Sequence, residues 1–169
     1  MNELLVSLDS IKPDEIKHNG IVEIVKNNNR IVLQYEKNSD FIDLVKAQGG
    51  FCFAAHPFRN NNRGLEENLR TVKGLDGLEV LNGSTSVEAC QKAARYAQEL
   101  GLCTMGSSDC HVPEKVGACA TWFPEEVKTM EEFMQALKKG GMKPAYYEDG
   151  AYHILEVQEY GNGYPKVGF

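Results

Sequence analysis

Leu102-Cys103-Thr104-Met105-Gly106-Ser107-Ser108-Asp109-Cys110-His111 is an apolar run that passes through small residues into an Asp-x-His pair. An apolar run too short for a helix, followed by small polar residues, reads as a buried strand feeding a loop. In extended chain, residues i and i+2 point to the same side, so Asp109 and His111 are expected to face one site with Cys110 turned away. Two similar runs precede it. Phe51-Cys52-Phe53-Ala54-Ala55 ends at His56-Pro57, and Leu78-Glu79-Val80-Leu81 ends at Asn82-Gly83. A short helix is expected over residues 65–73, before the Asp76-Gly77 turn. A second is expected after Thr85-Ser86-Val87-Glu88, which has the spacing of a capping box. Strands separated by helices at this interval form βαβ units of a parallel sheet.

Working outward, Ser39 and Asp40 can cap a helix with Phe41, Leu44 and Val45 on one face and Gly49-Gly50 at its end. Ile21–Val25 and Ile31–Tyr35 flank an asparagine-rich turn and read as a β-hairpin. Leu4–Leu8 is a further candidate strand. Cys119–Phe123 is another, Thr129-x-x-Glu132 opens a last helix closed by Gly140-Gly141, and a C-terminal hairpin is expected about Asp149-Gly150. The chain is thus read as one α/β domain over residues 1–169: a β-rich N-terminal segment to 37, βα units over 38–142, and a C-terminal hairpin and tail over 143–169.

With 18 basic and 24 acidic residues the formal charge is −6. That disfavours a non-specific nucleic-acid surface or a basic membrane patch. No apolar run approaches the roughly 18 residues of a membrane helix. The N-terminus lacks the basic and apolar regions of a secretory leader. The five cysteines have no C-x-x-C spacing, which fits reduced thiols and a cytoplasmic protein.

His56, Glu79, Asp109 and His111 all fall at or near strand carboxyl ends, where parallel α/β folds collect function. Two histidines and two carboxylates suit zinc, manganese or iron. Each has a plainer reading taken singly. A histidine before proline is as often a hydrogen-bonded turn residue, and Asp-x-His is common by chance. Glu79, inside an apolar strand, needs a metal or basic partner if buried, or else an exposed face on an edge strand. Arg59 and Arg63 could clamp a phosphate, or be surface charges of an asparagine-rich loop. His18 and His153 read as solvated or structural, Cys110 as a small buried side chain, and Trp122 as core.

The series Gly49-Gly50, Ala55-His56-Pro57-Phe58-Arg59, Gly77-Leu78-Glu79-Val80-Leu81-Asn82-Gly83 and Gly106-Ser107-Ser108-Asp109-Cys110-His111 with Val116-Gly117 resembles the PHP (polymerase and histidinol phosphatase) family, in its stand-alone metal-dependent phosphoesterase branch. The resemblance covers about residues 38–125 and implies the C-terminal part of a distorted (β/α)7 barrel. By it, His56, Asp109 and His111 fall on ligand positions for different metal ions, and Glu79 on a ligand or supporting position beside them. The implied reaction is hydrolysis of a phosphate ester, of a small molecule or a nucleotide, by metal-activated water. The family's leading His-x-His strand, Thr-Asp-His motif and bridging Glu have no counterpart here, so the resemblance also implies a weakly active or inactive chain. The missing part would come from a partner, or the chain would be a non-catalytic module, homo-oligomeric because a partial barrel leaves sheet edges open.

Overall fold

The computed structural model describes residues 20–26, 29–35, 38–60, 64–156 and 165, with side chains described from residue 40 onward. The expected strand Leu4–Leu8, His18 and Arg63 lie outside the described residues. Strands β1 (Gly20–Lys26) and β2 (Asn29–Tyr35) form the expected antiparallel hairpin, with Lys26 paired to Asn29 across the turn. Helix α1 spans Asn38–Ala47, starting two residues before Asp40. It buries Phe41, Ile42 and Val45, while Leu44 is only half-buried. Gly49 takes the left-handed conformation, φ 78°, that ends it.

The parallel sheet is real and ordered β3 (Phe53–Ala54), β4 (Gly77–Asn82), β5 (Cys103–Ser107). β3 is shorter than the expected 51–55. At its start the Cys52 amide donates to the Asp76 carboxylate at 2.6 Å instead of to a ladder. Asp76 is therefore more than a turn residue. Its backbone N–H bonds the Cys52 carbonyl, its carbonyl accepts from Cys103 N, and its carboxylate also pairs with Lys46 of α1. One residue, through its backbone and its side chain together, ties the amino ends of three strands to a helix. The expected helix over 65–73 is one 3₁₀ turn, Glu66–Arg70.

Helix α2 (Val87–Leu100) joins β4 to β5, burying Cys90, Ala93, Ala94, Tyr96 and Ala97. Its cap is Ser86, whose hydroxyl accepts from Ala89 N, and not Thr85 as the capping-box spacing implied. Thr85 is buried instead, its amide bonded to the Asn82 carbonyl. β6 (Cys119–Trp122), α3 (Met130–Lys139), β7 (Lys143–Glu148) and β8 (Ala151–Ile154) follow. The capping box at Thr129 and Glu132 is complete, and β6-β7-β8 form an antiparallel sheet with its tight turn at Asp149-Gly150. Trp122, expected in the core, is 38 % exposed at the end of β6.

The two three-stranded sheets meet where β5 lies along β6. The Thr121 hydroxyl donates to the Gly106 carbonyl at 2.8 Å and accepts from the Gly106 amide at 3.1 Å, so a side chain does the work of a ladder rung. The described residues thus form a mixed α/β fold of three α-helices, a hairpin and two small sheets, and among them the strands do not close into a barrel. Among them, too, no helix is long and apolar enough to cross a membrane.

Gly106 has no room for a side chain: a Cβ there would lie 2.6 Å from the Ala120 carbonyl oxygen and 3.2 Å from Pro144. Gly106→Ala must push the two sheets apart, and we expect it to cost about 1–3 kcal/mol. Denaturant unfolding checks this, and an unchanged midpoint would show that the junction carries no such constraint.

Candidate functional site at the strand carboxyl ends

Glu79 sits in the middle strand and is 6 % exposed. All six residues of β4 are buried, which removes the edge-strand reading. Among the described residues its hydrogen-bond partners are two N–H donors and a hydroxyl. Oε2 accepts from the His56 amide at 2.5 Å and from Asn82 Nδ2 at 2.9 Å, and Oε1 accepts from the Ser107 hydroxyl. One carboxylate therefore ties the carboxyl ends of β3, β4 and β5 together. Burial pushes its carboxyl above the usual carboxylate range, against the pull of the Ser107, Asn82 and His56 donors.

A regular strand would put residues 79 and 82 on opposite faces. Here the pairing of β4 with β5 shifts between Glu79 and Leu81: Glu79 is opposite Met105, Leu81 opposite Gly106. The bulge brings Asn82 onto the face of Glu79. Asn82 then uses its Oδ1 to accept from Ser84 N at 2.8 Å.

His56 and Asp109 both have positive φ, 26° and 43°. Neither is glycine, and such backbone is uncommon enough to mark places where the surroundings fix the chain. Asp109 is held by Ser84, whose hydroxyl donates to its carbonyl at 2.8 Å. Arg59 Nη1 donates to Asp109 Oδ2 at 2.7 Å, and Asn82 Nδ2 stands 3.4 Å from the same oxygen. Phe58, edge-on to Tyr96 with centroids 4.8 Å apart, anchors the loop that delivers Arg59.

The sheet therefore brings His56, Arg59, Glu79 and Asp109 together. His111 is at the rim, its side chain 74 % exposed and its Nε2 3.5 Å from Asp109 Oδ1. Residues 109–111 are not extended strand, because β5 stops at Ser107. The extended backbone assumed for Asp-x-His is absent, although His111 still lies beside Asp109, and Cys110 is exposed rather than buried. Cys52, Cys90 and Cys119 are buried, and burial pushes their thiols up to about 11, 11 and 12, so none is a thiolate nucleophile at neutral pH. His153 stacks on Tyr146 in the C-terminal hairpin. Asn82, Ser84 and Ser107 are the site residues that sequence reasoning missed. The available signal was the polar Asn-Gly-Ser that breaks an apolar strand beside the Gly-Ser-Ser at the end of the next.

This arrangement does not fit a divalent ion as it stands. Both Glu79 oxygens are engaged by donors, one Asp109 oxygen is engaged by a guanidinium, and among the described residues no group of three or more His, Cys, Asp or Glu side chains is placed to hold a metal. A groove of about 320 Å³ at α3 lies elsewhere, lined by Glu125, Glu126 and Glu132 and by Lys139, which is paired with Glu125.

The Glu79 network yields a direct expectation. Glu79→Gln keeps the shape but leaves one acceptor oxygen and an amide facing three donors. We expect a loss of about 1–3 kcal/mol, seen as a lower Tm in a thermal melt. A melt superimposable on the wild type would mean that the carboxylate does not hold the strand ends.

Residues 87–141 match the family model PHP_C, described as PHP-associated. The matched stretch runs from α2 to the end of α3 and takes in Asp109 and His111, whereas His56, Arg59 and Glu79 precede it. No curated protein and no solved structure matches the chain. Residues 87–141, about a third of the chain, are therefore similar to a PHP-associated segment.

Proposed function

We propose that this chain is the phosphate-ester-handling C-terminal portion of a PHP-type phosphoesterase barrel, weakly active or inactive by itself. The observation that carries the reading is the Arg59–Asp109 pair at the carboxyl ends of a parallel sheet, with His111 Nε2 3.5 Å from Asp109 Oδ1. A guanidinium presents a planar fork that matches two phosphate oxygens, and here it is on a loop fixed by Phe58 rather than on a free surface chain. The substrate class is a phosphate ester of a small molecule or a nucleotide. Arg59 binds and orients it, while Arg63 is a second phosphate contact by sequence position. His56, Asp109 and His111 remain the proposed ligand positions for zinc, manganese or iron, with Glu79 holding the framework under them. Because these groups are committed to one another in the arrangement described, no hydrolytic step is assigned to it.

Inorganic phosphate is expected to bind the purified chain, followed by ³¹P NMR, and Arg59→Met to weaken it about tenfold, the worth of a charge-assisted bond. Hydrolysis of an aryl phosphate with added zinc or manganese is expected to stay near background. Brisk turnover that disappears in Asp109→Asn would replace the inactive reading with a catalytic one. Absence of phosphate binding would remove the proposal.

A second reading, a homo-oligomeric module, is favoured by the open sheet edges. Among the described residues β3 pairs only with β4, and β8 only with β7. Unpaired edges invite pairing with another chain. Sedimentation should then show a species larger than 18.8 kDa, and a single monomer boundary would rule this out.

A further inference from the structure

We infer that Arg59 is a resident counter-cation that closes Asp109 to divalent ions, so that metal capture at this carboxylate requires the guanidinium to leave. The inference rests on the reading of Asp109 as a ligand position, and it concerns what controls that position. Arg59 Nη1 lies 2.7 Å from Asp109 Oδ2. A zinc ion on that oxygen would stand at about 2.0–2.2 Å, in the space the guanidinium fills, and two cations at such separation repel strongly. The Asp109 residue is held in this orientation. Its backbone is held by the Ser84 hydroxyl, and Asn82 Nδ2 is 3.4 Å from the same Oδ2. Oδ1 already faces His111 Nε2 at 3.5 Å.

Arg59 is positioned for this and does not swing there from a distance. Its amide bonds the His56 carbonyl at 3.0 Å, and the adjacent Phe58 is seated on Tyr96. The pair is neither fully buried nor free, with side chains 25 % and 21 % exposed. Such a pair is an equilibrium and not a lock. The apparent metal affinity is the intrinsic one multiplied by the fraction of molecules with the carboxylate open. A phosphate oxyanion that drew Arg59 away would raise that fraction, so anion and metal would favour each other's binding by the same factor.

The test is a zinc titration by calorimetry of the whole chain in a Cys110→Ser background, which removes the exposed thiol as a competing ligand. Arg59→Met is expected to tighten zinc about fivefold or more, the factor that a pair of this exposure represents. Adding Asp109→Asn to that variant is expected to abolish the gain. A measurement on the chain with Arg59 intact stands independently of how the variants fold: the ¹⁵Nε resonance of Arg59 should shift with zinc at the calorimetric midpoint. Equal affinity with and without Arg59, a gain that survives Asp109→Asn, or a guanidinium resonance that zinc does not move would each overturn the inference. The phosphate titration above contains no zinc, so its failure is distinct from these. Zinc bound equally by both chains would end this inference and leave phosphate binding by Arg59 standing.

Discussion

A carboxylate buried among apolar strands must find hydrogen-bond donors, and in this chain that requirement organises the sheet. Glu79 meets it with three: a backbone amide from the end of β3, an amide side chain from its own strand and a hydroxyl from β5. None of these three donors is a charged group; they and the charge interaction with His56 pull the carboxyl down, but burial outweighs them and holds it above the usual carboxylate range. The geometry is demanding. His56 must offer its N–H at a positive φ, and β4 must bulge so that Asn82 joins Glu79 on one face. At the opposite end of the same strands, Asp76 makes an analogous clip to Cys52, Cys103 and Lys46. The sheet is held at both ends by acids that sequence reading assigns to other tasks.

On this frame the polar surface of the site is built from one ion pair. Arg59 and Asp109 come from loops 50 positions apart in sequence, and each is held by its neighbours: Phe58 on Tyr96, Ser84 on the Asp109 carbonyl. An anion binding the guanidinium would have to compete with Asp109, and a cation binding Asp109 Oδ2 would have to compete with Arg59.

The junction of the sheets has a different character. Gly106 lets the backbones of β5 and β6 approach until the Thr121 hydroxyl bridges them, and Gly83 lets the next turn pass the Ser108 carbonyl, which a Cβ would meet at 2.5 Å. These close approaches bring the loop carrying Asp109 against the ends of β4. The PHP-associated match, residues 87–141, contains this junction from the β5 side.

What the sequence by itself determined is what short-range pattern encodes. The hairpins, the βα alternation, the α3 capping box and the parallel order of β3, β4 and β5 follow from periodicity, caps and breakers. His56, Glu79 and Asp109 were placed at one sheet end because parallel strands share a direction. Only the tertiary structure decided how they are used. The bulge after Glu79, which reverses the face of Asn82, leaves no signature in the strand's own apolar run. The left-handed turn at Asp109 replaces the extended backbone that an Asp-x-His pair suggests, and leaves Cys110 and His111 exposed. Whether Glu79 meets donors or a cation, and whether Arg59 faces water or Asp109, depends on atoms contributed by other strands and loops. Hydrogen bonds and ion pairs act over a few ångströms, and those neighbours are tens of residues away along the chain.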